Sequence, residues 1–66
     1  MLTNRIALRF FNANHDANGG DATKRATAAD VEWSGVVGTV SIRSRVDGRV
    51  FNVTVRDGRA VGMVAR

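Results

Sequence analysis

Apolar and polar residues alternate along two consecutive stretches of the chain, residues 38–46 and 49–56. The apolar positions of these stretches are Val40, Ile42, Val46, Phe51, Val53 and Val55. A period of two is the signature of a strand with one buried face. Between the stretches lies Asp47-Gly48, a dipeptide preferred in two-residue type I′ turns. The pattern therefore predicts a β-hairpin.

A second Asp-Gly dipeptide, Asp57-Gly58, repeats the turn signal ten residues later and predicts a third strand from about Arg59 to Ala65. Two-residue turns fix which residues lie opposite each other. The pairs expected at the first turn are Ile42 with Val53, Val40 with Val55 and Ser44 with Phe51. Those expected at the second are Val55 with Ala60, Val53 with Gly62 and Phe51 with Val64. The repeated Asp-Gly-Arg triplet is thus interpreted mainly as a repeated turn in a three-stranded meander.

Upstream of the meander the signals are shorter. Apolar residues alternate again in Arg5–Phe11, which predicts a first strand whose sheet partner the sequence does not identify. Residues 12–20, NANHDANGG, consist almost entirely of turn-forming types and are expected to form a flexible loop. Asp21–Asp30 is rich in alanine, with Asp21 available as an N-cap, and favours a short helix. An extended conformation of Asp30–Trp33 is the alternative at the end of that segment.

Together these elements predict one α+β domain over residues 1–66, in the order β-α-β-β-β. It has an antiparallel sheet of about four strands, a C-terminal three-stranded meander and one short helix. A small all-β barrel is the alternative. A chain of 66 residues buries only a thin core. The sequence has no cysteine, so neither disulfides nor thiolate-bound metal can stabilise the fold.

The charge of the chain points to anionic partners. The formal net charge is +4, and nine of the ten basic residues are arginine, Lys24 being the exception. Arginine makes planar, bidentate contacts with phosphate and carboxylate groups, although a GC-rich genome can also enrich it. The positive sign argues against a protein that mimics DNA with acidic side chains.

The predicted register presents Arg43 and Arg45 on the face of the meander opposite the apolar one. The same face should carry Val50, Asn52, Thr54, Val61 and Met63. Such a surface could bind a nucleic-acid backbone or an acidic protein surface, or could simply be a solvated sheet face. The candidate binding residues are Arg43, Arg45, Arg49, Arg9, Arg56, Lys24 and Arg25.

Catalytic chemistry is not indicated. His15, the only histidine, stands beside Asp16 in the expected loop, but no cysteine or serine lies in a nucleophile context. Asn14, Asp16 and Asn18 imitate the start of a calcium-binding loop, yet its twelfth position, normally glutamate, is Arg25. We therefore predict a non-enzymatic protein with no catalytic residue, metal or cofactor.

Nor does the sequence indicate a membrane segment. No apolar run approaches the ~20 residues that span a bilayer, and no apolar stretch follows a basic start as in a signal peptide. We expect a soluble protein in the cytoplasm of a host cell.

From Asp21 onward the chain also resembles a known layout. An alanine-, lysine- and arginine-containing helix and a tryptophan-containing linker precede Gly38-Thr39-Val40, and two Asp-Gly hairpin turns follow. This order resembles small phage-encoded proteins that include certain type I anti-CRISPR inhibitors, over about two thirds of the chain.

The resemblance implies a protein that docks on a host nucleoprotein complex and prevents target DNA from engaging. The alternatives are a direct nucleic-acid-binding module and a small phage structural or assembly protein. The oligomeric state and the partner stay open.

Overall fold

The computed structural model describes residues 2–66 and contains one α-helix and four strands. Helix α1 spans Leu2–Ala17, and two single 3-10 turns follow at Ala22–Lys24 and Ala28–Asp30. The strands are β1 (Val31–Trp33), β2 (Thr39–Arg43), β3 (Val50–Arg56) and β4 (Arg59–Ala65). All strand pairs are antiparallel, in the spatial order β1-β2-β3-β4. The predicted α+β class, with one helix and four antiparallel strands, is confirmed. The sheet is open, so the barrel alternative is not supported.

The order of the elements differs from the predicted β-α-β-β-β, because the N-terminal segment is a helix. The predicted strand Arg5–Phe11 and most of the predicted loop, residues 12–17, lie within α1. Ala7 and Phe11, four residues apart, are both buried against the sheet. The five apolar residues of this seven-residue segment fit both a period of two and a period of 3.6. In the helix Ala7 and Phe11 are buried while Arg9 is exposed, whereas a strand would place all three on one face.

Helix α1 ends in a Schellman motif at Asn18-Gly19-Gly20. The amide of Gly20 donates to the carbonyl of His15 at 2.8 Å, and that of Gly19 donates to the carbonyl of Asp16 at 3.0 Å. Gly19 has the left-handed conformation that this motif requires, with φ +75°. The Asn-Gly-Gly sequence is therefore a helix stop signal, and only residues 18–20 of the expected loop lie outside the helix.

Asp21–Asp30, predicted as a helix, forms the two 3-10 turns instead. Asp21 does act as an N-cap, since its Oδ1 accepts from the amide of Thr23 at 2.9 Å. The helix does not continue because the chain is extended at Arg25, with φ −62° and ψ 143°, and again at Thr27. Between them, the side-chain amide of Asn12 makes two hydrogen bonds to the backbone of Ala26, both 2.9 Å long. The extended alternative for the end of this segment is confirmed by β1.

The β2–β3 hairpin has the predicted strands but not the predicted pairs. Val40 lies opposite Val53 and Ile42 opposite Phe51, a shift of two positions from the expected register. The connection is a four-residue loop, residues 45–48, in which Gly48 has φ +76° and donates its amide to the carbonyl of Ser44. A shift of two preserves the faces, so Val40, Ile42, Phe51 and Val53 share one side as predicted.

The β3–β4 hairpin begins as predicted and then departs from the expected register. Asp57 and Gly58 both have positive φ, 53° and 77°, as a type I′ turn requires, and Val55 lies opposite Ala60. A β-bulge then leaves Val61 unpaired, so Val53 pairs with Met63 and Phe51 with Ala65 instead of with Gly62 and Val64. Met63 therefore lies on the core side, packed against the buried cluster, and not beside Arg43 as predicted.

The core lies between α1 and one face of the sheet. Its buried apolar residues are Ala7, Phe11, Ala26, Val40, Ile42 and Val53. Phe11 also contacts Phe51, their ring centroids being 5.6 Å apart. The helix contacts β2, β3 and β4 on this face. Since α1 is the only α-helix among residues 2–66, the opposite face of the sheet has no such cover.

Replacing Asn12 with alanine should destabilise the protein more than the equivalent change at Asn14. Asn12→Ala leaves the N–H and C=O of the buried Ala26 without partners, and we expect a loss of about 1–3 kcal/mol. Asn14 bonds only the carbonyl of Phe10 within its own helix, so Asn14→Ala should change stability by less than about 0.5 kcal/mol. Urea unfolding of both variants checks this. Equal effects would contradict the role given to Asn12.

Gly58→Ala should cost about 1–2 kcal/mol, because an L-residue at φ +77° is strained even though space for its Cβ is available. Gly62 in β4 offers the matched control, because its φ is not positive and a Cβ added there would also meet open space. Gly62→Ala should stay within about 0.5 kcal/mol of the parent. Thermal unfolding of the two variants compares them, and a tolerated Gly58→Ala would exclude the type I′ turn.

The open sheet face as a candidate nucleic-acid interface

The sheet face turned away from α1, here called the open face, is largely polar. The alternation of the strands places on it Glu32, Thr39, Ser41, Arg43, Val50, Asn52, Thr54, Arg56, Arg59, Gly62 and Val64, with Arg66 following β4. Four arginines thus share this surface with a single acidic residue, Glu32. They form two pairs at opposite ends of the sheet.

At the first end, Glu32 is bound by two guanidinium groups from different parts of the sheet. Arg43 Nη2 lies 3.5 Å from Glu32 Oε2, and Arg66 Nη1 lies 3.2 Å from Glu32 Oε1. Arg43 Nη1 also donates to the carbonyl of Gly48 at 3.1 Å, which orients its guanidinium. These groups are partly exposed, so the ion pairs contribute little stability. The three side chains carry a formal charge of +1.

The centre of the open face is a polar row across the middle strands. Ser41 is fully buried although no helix covers it, and its Oγ donates to Asn52 Oδ1 at 2.6 Å. This bond fixes the orientation of the Asn52 amide, whose NH₂ group is left to donate elsewhere. Thr39 and Thr54 lie opposite each other in the next row. The row supplies neutral hydrogen-bonding groups between the two arginine pairs.

At the second end, Arg56 and Arg59 lie directly opposite each other beside the Asp57-Gly58 turn. Among residues 2–66, no carboxylate lies within 4.0 Å of either guanidinium. Like charges directly opposite on neighbouring strands repel each other. An anion bound between them would relieve that repulsion. From Val50 to Arg56 the strand rises about 20 Å, which sets the separation of the two arginine pairs.

The remaining predicted binding residues lie elsewhere. Arg45 and Arg49 are in the β2–β3 loop, where Arg45 Nε lies 3.9 Å from Asp30 Oδ2 and Arg49 Nε lies 3.7 Å from Asp47 Oδ2. The prediction that Arg45 shares the strand face with Arg43 is wrong, because β2 ends at Arg43. Arg9 is on the solvent side of α1, and Lys24 and Arg25 follow the helix.

Two open-face arginines, Arg59 and Arg66, were not among the binding residues predicted from the sequence. Arg59 could have been found, because a two-residue turn at Asp57-Gly58 places it opposite Arg56. Arg66 could not, because its side of the sheet depends on the bulge at Val61.

His15 makes a hydrogen bond that joins the end of α1 to Asp21. It lies in the last turn of α1, and its Nε2–H donates to the carbonyl of Asp21 at 2.7 Å. A Cβ on Gly20 would overlap the imidazole ring, so the ring packs on the bare glycine backbone. Its sequence neighbour Asp16 bonds Arg25 instead. Within residues 2–66, no three His, Cys, Asp or Glu side chains converge as a metal site would require.

Comparison of this chain with models of protein families, with curated proteins and with solved structures found no match. In the described part of the chain, no helix is both long and apolar enough to cross a bilayer.

The carboxylate of Asp16 forms an ion pair with Arg25, one of the predicted binding residues. Arg25 Nε donates to Asp16 Oδ1 at 2.9 Å, and this hydrogen bond holds the pKa of Asp16 below its ordinary value of 3.8. The same contact raises the pKa of Arg25. A carboxyl whose pKa is lowered by folding stabilises the folded state above its unfolded pKa, and that contribution is lost as the pH falls through the folded pKa. Arg25 therefore joins the linker, here defined as residues 18–30 between α1 and β1, to the end of α1.

Removing this partner should raise the pKa of Asp16. In Arg25→Gln we expect the Asp16 pKa to move up toward 3.8, as followed by an NMR titration of the side-chain carboxyl. Asp21 is the internal control, because its pKa is lowered chiefly by the backbone amide of Thr23 and should not change. The stability difference between parent and variant should narrow as the pH falls below about 4. An unchanged Asp16 titration would contradict the ion pair.

Proposed function

We propose that this protein is a non-enzymatic binding protein whose open face engages an anionic macromolecular surface. The observation that carries the proposal is the arginine pair Arg56 and Arg59, two neighbouring guanidinium groups with no carboxylate within 4.0 Å among residues 2–66. Guanidinium groups match the geometry of phosphate and carboxylate oxygens. The second pair, Arg43 and Arg66, offers a weaker attraction because Glu32 already binds both members.

The chemistry of the open face favours contact with a backbone over recognition of bases. Its described residues include no aromatic side chain, and stacking on aromatic rings is the usual means of holding unpaired bases. Serine, threonine and asparagine groups between the arginines are typical donors to phosphate oxygens. Such a surface supports binding that depends on charge and shape, with little dependence on base sequence.

In the form that the sequence resemblance implies, the anionic surface belongs to a host nucleoprotein complex, and the bound protein inhibits that complex. An arginine-rich face that covers an acidic patch beside the nucleic-acid path would prevent target DNA from engaging. This inhibitor would be anti-CRISPR-like in action and would act without catalysis. It would function in the host cytoplasm.

Direct binding of nucleic acid is the second candidate, favoured by the spacing of the arginine pairs. A separation of about 20 Å along the strands spans several phosphates of an extended strand. Binding of this kind weakens steeply with salt, because condensed counterions are released. The inhibitor proposal requires no affinity for free DNA, so the two candidates differ in a measurable way.

The deciding experiment reverses the charge of the open face and compares it with a matched change elsewhere. Arg56→Glu with Arg59→Glu should reduce partner binding at least about tenfold, and should lower the salt dependence of any DNA binding by about two phosphate contacts. Lys24→Glu with Arg49→Glu changes the net charge equally, away from the open face, and should have little effect. Circular dichroism checks that both variants stay folded.

Two readouts separate the candidates. Fluorescence anisotropy with labelled single- and double-stranded DNA over a salt series measures direct binding, and a gel-shift assay with a purified type I surveillance complex measures inhibition. Loss of inhibition only in the open-face variant supports the inhibitor function. Salt-dependent binding of free DNA supports the second candidate. Equal behaviour of the two double variants would exclude the open face as the binding site.

A further inference from the structure

A groove runs between the first half of α1 and the edge strand β1, on the side of the molecule away from the open face. It consists of two adjoining cavities of about 380 and 250 Å³ that share Asn4 and Val31. We call it the β1 groove and define it by Asn4, Arg5, Leu8, Val31, Trp33 and Val37. Leu8 and Val31 are half-buried and pack against the core.

Strand β1 has unpaired backbone groups along this groove. The amide of Val55 donates to the carbonyl of Gly38, and that of Ser44 donates to the carbonyl of Arg49, so the even-numbered residues of β2 bond β3. The odd-numbered residues therefore bond β1, and Ser41 does so through Glu32. The backbone of Val31 and Trp33 consequently points to the free edge. Only the N–H of Val31 is used there, by the carbonyl of Ala28.

One end of the β1 groove is strongly apolar. Trp33 is 70% exposed and Val37 89% exposed, and Val36 beside them is 58% exposed. Trp33 is the only tryptophan of the chain. Exposed tryptophan at a concave edge is typical of the residues that dominate binding energy in protein interfaces. Three neighbouring exposed apolar side chains are better explained by a partner than by solvation.

The other end of the β1 groove is basic. Arg5 lines it next to Ala28 and Val31, and none of the carboxylates among residues 2–66 lies within 4.0 Å of its guanidinium. Arg9, one turn further along α1, is exposed on the same side of the helix. An occupant of the groove should therefore carry negative charge at the Arg5 end. Beside β1 itself it should be uncharged, because Glu32 lies in the centre of that strand.

We propose that the β1 groove binds an extended, acidic segment of a partner protein, which adds to the sheet as a fifth strand along β1. Its backbone bonds the free groups of Val31 and Trp33, and its apolar side chains occupy the space above Leu8, Val31 and Trp33. An acidic residue beyond them meets Arg5. This is the strand-addition mode of peptide recognition, in which the backbone supplies affinity and alternate side chains supply specificity. The site uses none of the open-face arginines, so it goes beyond the function proposed above.

The sole tryptophan permits a direct test with designed peptides. The probe is an eight-residue peptide with an alternating valine–threonine centre and two glutamates at each end, so that either strand direction places acid near Arg5. Titration should give a saturable blue shift of Trp33 fluorescence. The same peptide with lysine in place of glutamate should bind at least about tenfold more weakly.

A charge swap in the protein makes the test specific. The Arg5→Glu variant should no longer bind the glutamate peptide and should bind the lysine peptide. Arg49→Glu makes an equal charge change in the β2–β3 loop and should leave the affinities for both peptides unchanged. A glutamate peptide N-methylated at its four central residues should not bind in either strand direction, because it cannot donate to the edge of β1. Single-stranded DNA should not shift the fluorescence.

Four outcomes would overturn the proposal. They are no shift with the glutamate peptide at millimolar concentration, equal binding to Arg5→Glu, full binding of the N-methylated peptide, or a DNA-induced shift that Arg5→Glu removes. The open-face test changes only Arg56 and Arg59, which lie outside the β1 groove. A negative result in one of the two tests therefore does not contradict the proposal that the other one examines.

Discussion

The packing of one helix face on one sheet face is the constraint on which the rest of this structure depends. Ala7 and Phe11 lie against Ile42 and Val53, and the methyl group of Ala7 lets the helix backbone approach the sheet closely. Each large buried side chain contributes about 1.5–3 kcal/mol, so a core of six apolar residues leaves a small margin. Polar contacts that hold the linker to the helix, such as those of Asn12, therefore matter more here than in a larger domain. The same constraint leaves the second sheet face open.

The two Asp-Gly-Arg triplets show how far neighbouring residues control a turn. At Asp57-Gly58 the turn residues alone determine a type I′ geometry. At the first triplet, side chains select a longer loop, because Ser44 Oγ accepts from the amide of Val46 at 3.2 Å and Asp47 Oδ1 accepts from the amide of Arg49 at 3.0 Å. Local side-chain bonds of this kind compete with the two-residue turn. The same Asp-Gly-Arg sequence thus occurs in a four-residue loop in one hairpin and in a two-residue turn in the other.

Sequence reasoning succeeded where the alternation of side chains along a strand decides which face each residue occupies. It failed where contacts between residues far apart in the sequence decide the structure. The apolar face of β2 and β3 was predictable because a register error of two positions changes no face. Arg5–Phe11 was ambiguous in a short window, and the Schellman signal that resolves it lies several residues downstream. In the candidate site, Arg43 and Arg56 were predictable. The ion pair of Glu32 with Arg66, 34 residues apart, follows only from the assembled sheet.

At the bulge in β4, a residue can be removed from the strand without changing the face on which the following side chains lie. Val61 is the extra residue, and the pairing of Gly62 with Thr54 is the same as it would be in a strand that lacked Val61. Deletion there would straighten the strand yet leave Met63 under the helix and Arg66 beside Glu32. Away from this bulge, gain or loss of one residue in β3 or β4 would exchange the two faces of the strand beyond it. Natural length variation that preserves the open face is therefore expected to concentrate at position 61.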